Sequence, residues 1–179
     1  PYPSEDENEY PIGITPLMAP RRLQKETGMK NLFFKLDSQL ISGSFKDRAS
    51  YEVALQAKAL GEKKIALAST GNAGAAMSAV GAAMDLDIIL FVPYTAPINK
   101  LMQSVLYGAK VKGTYDDAFK LSIEYTKLHG GINRNTAYNP MTIEGKKSIS
   151  IELFEQLGRK APDAVYVPVG DGCIIAGVA

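Results

Sequence analysis

The apolar positions of this chain change period several times, and the changes divide it into elements. Asn31-Leu32-Phe33-Phe34-Lys35-Leu36 is a short apolar run that predicts a strand. Over residues 47–60 the pattern is helical, with Val53, Ala54, Ala57 and Leu60 on one face and Gly61 as the stop. Three strand–helix pairs follow. Lys64–Ala68 predicts a strand and 73–84 an Ala-rich helix. Residues 88–92 predict a second strand, ended by Pro93, and 98–107 a helix stopped by Gly108. Residues 109–112 predict a third strand, and 115–128 a helix stopped by Gly130 and Gly131. Such alternation argues for an α/β fold, a parallel sheet flanked by helices. The near-continuous apolar strands at 65–68 and 88–92 fit burial on both sides.

After a polar break, Gly130-Gly131-Ile132-Asn133-Arg134-Asn135, a helix is predicted over about 142–157. Val165-Tyr166-Val167-Pro168-Val169 then predicts a strand that runs into Gly170-Asp171-Gly172-Cys173. The first ten residues are acidic and Pro-rich and read as an arm or loop; Ile12-Gly13-Ile14-Thr15-Pro16-Leu17 reads as a turn. There is no repeat at solenoid spacing and no low-complexity tract. A sheet whose last crossover has only begun at Ala179 carries the expectation of a fragment.

Composition narrows the function classes. Of 179 residues, 46% are hydrophobic and 22% charged, enough apolar material for a real core. A net charge of +1 gives no electrostatic case for nucleic acid or an anionic membrane. A single cysteine, Cys173, excludes an intramolecular disulfide framework and a Cys-based zinc site. No apolar run is long enough to span a bilayer, and the polar start is not a signal peptide, so the expectation is a soluble, cytoplasmic protein.

Candidate chemistry centres on Ser42-Gly43-Ser44-Phe45-Lys46-Asp47-Arg48. Lys46 follows small, turn-forming residues and precedes a helix, so its amine is aimed. An aimed amine condenses with a carbonyl when burial or a nearby cation lowers its pKa. By itself the heptapeptide reads first as a solvated lysine at a helix start. Two strand-to-helix turns add to it. Ser69-Thr70-Gly71-Asn72-Ala73-Gly74 offers hydroxyls, an amide and free helix-start N–H groups to a carboxylate or phosphate, or else is a plain N-cap. Gly170-Asp171-Gly172-Cys173-Ile174-Ile175 lets backbone approach a phosphate. It lacks the third glycine of a dinucleotide fingerprint and the Gly-Lys-Ser/Thr of a Walker loop. Cys173 reads as a small buried residue, His129 as a helix-end residue, Met77 and Met84 as core, and Lys146-Lys147 as a solvated pair. Glu26, Asp37, Glu144 and Asp163 show no paired spacing for acid–base or metal work.

A lysine for an aldehyde, a carboxylate cradle and a phosphate loop are together what pyridoxal phosphate and an amino-acid substrate require. The heptapeptide around Lys46, Ala68-Ser69-Thr70-Gly71-Asn72-Ala73-Gly74 and Pro168-Val169-Gly170-Asp171-Gly172 resemble, in order and spacing, the marks of fold-type II pyridoxal phosphate enzymes, the tryptophan synthase β-like fold. Within that family the chain is most similar to the threonine synthase branch. Supporting stretches are Gly13-Ile14-Thr15-Pro16-Leu17, Lys100-Leu101-Met102-Gln103 and Asn139-Pro140-Met141-Thr142-Ile143-Glu144-Gly145-Lys146-Lys147.

The resemblance implies that Lys46 carries the cofactor and moves protons on the substrate. It implies that Asn72 bonds the phenolic oxygen of the cofactor ring and that Ser69, Thr70, Gly71 and Ala73 hold the substrate carboxylate. Gly170, Asp171, Gly172, Cys173 and Ile174 would cradle the cofactor phosphate. Residues 1–46 and 140–179 would belong to an incomplete large cofactor domain, and 47–139 to a small mobile domain. The implied reaction is conversion of O-phospho-L-homoserine and water to L-threonine and phosphate in a cytoplasmic homodimer. A threonine or serine dehydratase, a β-replacing synthase and a non-catalytic α/β module are the alternatives. Where many members of the branch carry an arginine for the substrate phosphate, this chain has Thr142; Arg134 and Lys100 are the candidates to replace it.

Overall fold

The computed structural model describes residues 12–179, so the arm read at 1–10 lies outside the described part. Four strands form one all-parallel sheet in the order β5-β4-β3-β6: β3 Lys64–Ala68, β4 Asp87–Pro93, β5 Lys110–Thr114 and β6 Ile132–Asn133. A separate two-stranded antiparallel pair joins β1 Leu17–Met18 to β2 Phe34–Lys35, with helix α1 Arg21–Thr27 between them.

Strand alternation sorts the sheet's side chains onto two faces. Ile65, Leu67, Ile88, Leu90 and Val92 pack with Val53, Ala54 and Ala57 of α2 (Lys46–Ala59) and Met77 and Val80 of α3 (Asn72–Ala83). Ala66, Ile89 and Phe91 meet Ala118, Leu121 and Tyr125 of α5 (Ala118–His129), with the Phe91 and Tyr125 rings 5.5 Å apart. Helix α4, Ile98–Leu106, follows β4 and adds Leu101 to the first face. Burial on both faces is the reason the β3 and β4 sequences read as unbroken apolar runs.

Several boundaries move for local reasons. Helix α5 starts at Ala118 because the Asp117 carboxylate accepts the N–H groups of Phe119 and Lys120 at 2.9 and 3.3 Å. Leu60, read onto the buried face, falls one residue past α2 and is 59% exposed. The polar break holds a strand: Ile132 and Asn133 pair with Ile65 and Ala66 of β3. The run at 165–169 is not a strand among the described residues; Tyr166 is 89% exposed. Apolar alternation becomes a strand only where a neighbour supplies ladder hydrogen bonds. The helix expected over 142–157 arrives as α6 Met141–Glu144, a 3₁₀ turn Gly145–Lys147 and α7 Ser148–Gln156, ahead of a final short helix, α8 Cys173–Val178.

A buried ion-pair network ties the N-terminal segment, α2 and α7 together. The Arg48 guanidinium donates to both Asp37 oxygens at 2.7 and 3.0 Å and to both Glu152 oxygens at 2.5 and 3.0 Å. It also reaches Ser148 Oγ at 2.8 Å and Thr15 Oγ1 at 3.2 Å. Lys35 Nζ adds a second cation to Glu152 at 2.6 Å. Burial pushes the Glu152 carboxyl up, but the Arg48 and Lys35 hydrogen bonds outweigh it and hold the group at about 2.

Two outcomes follow from this packing. A Cβ on Gly145 would collide with the Arg48 carbonyl oxygen and stand 2.8 Å from Glu52 Cβ. Gly145→Ala is therefore expected to cost about 1–3 kcal/mol in urea unfolding. Because the folded pKa of Glu152 is depressed, its contribution is complete above the unfolded carboxyl value and is lost as pH falls from about 4.5 towards 2. Glu152→Gln should flatten that acid limb of the stability curve, measured by denaturant midpoints from pH 6 down to pH 2.

Candidate active site

Lys46 is the first residue of α2, so its direction is set by the turn before it. That turn is held by its own short side chains. Gly43 takes φ +76° and bonds back to the Leu40 carbonyl at 2.8 Å, a conformation that suits glycine. The Ser42 N–H donates to Asp47 Oδ2 at 2.8 Å, and Ser44 Oγ accepts the Lys46 N–H at 3.4 Å while sharing a 3.1 Å bond with Ser42 Oγ. Helix α4 steadies the same turn from outside: Gln103 Nε2 donates to the Ser42 carbonyl at 3.0 Å and the Tyr107 hydroxyl to the Ile41 carbonyl at 3.3 Å. The Lys46 side chain is half-buried. Burial lowers its amine below the ordinary lysine value; Asp171 and Cys173 raise it, and Arg134 lowers it. A lowered amine is the form that condenses with a carbonyl.

The groups that reach Lys46 come from distant segments. Arg134, just after β6, is fully buried, with Nε and Nη2 on Ser50 Oγ at 3.4 and 3.3 Å and Nη1 on Thr136 Oγ1 at 3.1 Å. Ser50 lies one helical turn beyond Lys46 on α2, so Arg134 packs along the Lys46 face. Burial lowers Arg134 to about 10, against the pull of Asp171 and Asp47, and it stays a cation at neutral pH. Asp47 is buried too, which raises its carboxyl; its Oδ1 has no hydrogen-bond partner among the described residues.

The loop at 69–74 joins β3 to α3. Ser69 Oγ accepts the N–H groups of Gly71 and Gly74 at 3.3 and 3.1 Å, so Ser69 does cap the turn and only its hydroxyl proton is left to give. Thr70 is half-buried, Ala73 likewise, and Gly71 and Asn72 are exposed. The Asn72 side chain has no bond to a described residue and is free for a ligand. The loop at 170–174 leaves Gly170 exposed and Ile174 half-buried, puts Gly172 at φ +80°, and buries Cys173. Asp171 Oδ1 accepts the Cys173 N–H at 3.0 Å, which folds the carboxylate into its own turn.

Other expected residues go elsewhere. Thr142 is fully buried, and its hydroxyl donates to the Asn139 carbonyl at 2.8 Å, so it belongs to the frame and not to a ligand surface. Lys100 is exposed on α4 and is not among the charges that reach Lys46, Arg134 or Lys146. Lys146, read as half of a solvated pair, is buried beside Lys46, while Lys147 pairs with Glu144 at 2.5 Å. Burial first, then the Lys46 charge, lowers the Lys146 amine to about 8. Nothing in its local sequence distinguishes it from Lys147; the packing of α2 and α8 on the turn does. An open depression of about 340 Å³ lined by Gln56, Thr126, Asn133 and Tyr138 contains none of these groups.

Asn135 was also invisible in the sequence. Its Oδ1 accepts the Ala68 N–H at 2.7 Å and its Nδ2 donates to Ser122 Oγ at 2.7 Å, pinning the end of β3 where the 69–74 loop begins. The spacing of Asn135 two residues past Asn133, the last residue of β6, is the one signal the sequence carries.

Residues 9–179 match the family model described as "Pyridoxal-phosphate dependent enzyme", and the chain belongs to that family. The threonine synthase of Methanocaldococcus jannaschii is 36% identical over 170 residues, covering 93% of this chain and 42% of the relative. That of Halalkalibacterium halodurans is 37% identical, covering 89% and 45%. Among solved structures, the processed form of threonine deaminase isoform 2 from Solanum lycopersicum superposes with a TM-score of 0.81 at 27% identity, over 92% of this chain and 46% of that one. The chain thus spans under half the length of these relatives. The cofactor of the family is pyridoxal 5'-phosphate, and the donor set fits it. Lys46 offers a half-buried amine of lowered basicity, Asn72 an uncommitted amide, and Arg134 and Lys146 buried positive charge for an anionic group.

Asn135→Ala should leave the Ala68 N–H without its acceptor, at a cost of about 1–3 kcal/mol. Hydrogen exchange at Ala68 through Gly71 should accelerate, while exchange in β4 stays unchanged.

Proposed function

We propose that this chain carries the lysine side of an active site that converts O-phospho-L-homoserine and water to L-threonine and phosphate. The observation that carries the reading is Lys46: an amine lowered by burial and aimed by the turn before α2, with small-residue loops at 69–74 and 170–174 on separate segments. The names of the relatives at 36% and 37% identity support the choice of reaction.

Pyridoxal phosphate, when bound, supplies an electron sink for carbanions on the substrate. Lys46 holds the cofactor and moves protons at the substrate α, β and γ carbons. The Asn72 amide bonds the phenolic oxygen of the cofactor ring. Ser69, through its remaining hydroxyl proton, orients the substrate carboxylate with Thr70 and the backbone of Gly71 and Ala73. The backbone of Gly170, Asp171, Gly172, Cys173 and Ile174 receives the cofactor phosphate. Residues 47–139 act as a small domain that closes on 1–46 and 140–179 and excludes water. The working form is a cytoplasmic homodimer acting on a small amino acid.

A second reading, dehydration of a hydroxyamino acid, is favoured by the buried Thr142 and by the likeness to a threonine deaminase. Product analysis decides between them. The purified protein with pyridoxal phosphate should show a visible absorbance that borohydride bleaches and that Lys46→Ala lacks. Phosphate release from O-phosphohomoserine should fall at least about 100-fold in that variant. Keto acid from threonine, without phosphate release from phosphohomoserine, would overturn the first reading in favour of the second.

A further inference from the structure

Two of the largest fully buried side chains are cations with no carboxylate in ion-pair contact among the described residues. Arg134 and Lys146 are each 1% exposed. The Arg134 side chain spends its donors on the hydroxyls of Ser50 and Thr136, and the Lys146 side chain makes no hydrogen bond or ion pair with a described residue. Arg48, equally buried, shows what compensation looks like, with carboxylates of Asp37 and Glu152 on both sides. A buried charge without a partner is costly, so a site that keeps two of them is built for an anion.

Backbone packing keeps Lys146 where it is. Gly145 presses on α2 at the Arg48 carbonyl, and the Lys146 Cβ lies 2.5 Å from where a Cβ on Gly177 of α8 would stand. The side chain is wedged between α2 and α8. The charged or titratable groups facing it are Lys46 from α2, Arg134 from the β6 exit, and Asp171 and Cys173 from the turn before α8. Asp47, on α2 behind them, is a weak counter-charge because burial raises its carboxyl. Asp171, exposed on its turn, is the carboxylate whose charge reaches Lys46, Arg134 and Lys146 alike.

We propose that Lys146 and Arg134 form a buried receptor for a phosphate-class dianion beside Lys46. Two unpaired cations match a dianion, whereas a carboxylate would leave one of them uncompensated. The inference rests on the pyridoxal phosphate reading only for the source of the phosphate, which is either the cofactor or a phosphorylated amino acid.

The test titrates inorganic phosphate by calorimetry into the purified protein, once stripped of cofactor and once loaded, beside Lys146→Met and Lys146→Arg. The wild-type protein should bind phosphate, Lys146→Met should bind it at least about tenfold more weakly, and Lys146→Arg should stay within a few-fold. Phosphate should also raise the wild-type melting temperature. Lys146→Met should melt higher than wild type in phosphate-free buffer and ignore added phosphate, because it no longer buries a lone charge. Binding that persists in the loaded protein assigns the receptor to the substrate phosphate. Binding confined to the stripped protein, and displaced by pyridoxal phosphate, assigns it to the cofactor. Equal phosphate affinity in wild type and Lys146→Met overturns the proposal, as does wild-type protein that binds none. If Lys146→Met does not fold, Lys146→Gln is read by the same titration. Absence of the visible cofactor band in wild type counts against the function proposed above, while the stripped-protein titration still decides the receptor.

Discussion

The position of Lys46 depends on a guanidinium two residues away. Arg48 is fully buried at the start of α2 and is bracketed by Asp37 before it and Glu152 far after it, a contact that spans 104 positions. Removing either carboxylate would leave a buried cation half-paired, a loss of about 3–5 kcal/mol when such a pair is broken. The network gives little net stability over an apolar alternative. It gives register: α2 has one rotation in which Arg48 meets both acids, and that rotation fixes the origin of the Lys46 side chain. Thr15, Lys35 and Gln156 are recruited by the same groups, which ties β2 and α7 to the lysine turn.

The site then contrasts two ways of burying charge. Around Arg48 every cation has an acid, and the Glu152 carboxyl is held low as a result. Around Lys46 the cations outnumber the acids, and the amines of Lys46 and Lys146 are both lowered. The first arrangement makes a joint. The second makes a place where a neutral amine and an incoming anion are both favoured, which is the electrostatic requirement of a lysine-bound phosphate cofactor. The two share α2: Lys46 and Ser50 serve the site, Arg48 and Glu52 the frame.

Much of the layer structure was legible because burial on both faces of a parallel sheet leaves local traces. Lys64–Ala68 coincides with β3, and the helices at 73–84 and 98–107 shift by a residue or less. The errors fall where the deciding partner is remote. The 165–169 run has strand composition without a ladder, and Ile132-Asn133 has a ladder without strand composition. Lys146 and Lys147 are adjacent and chemically identical, yet one is sealed beside Lys46 and the other pairs with Glu144 near the surface.

By itself, then, the sequence determined the α/β layering, the lysine at a helix start and the two small-residue loops, all of which are written in residues within a few positions of one another. Only the tertiary structure decided which charges are paired. It set Arg48 against Glu152, turned Thr142 inward onto Asn139, and brought Lys146 and Arg134 to Lys46 with no acid among the described residues in ion-pair contact with either. The physical reason is that hydrophobic period is a property of one element, whereas the cost of a buried charge depends on what other elements place beside it.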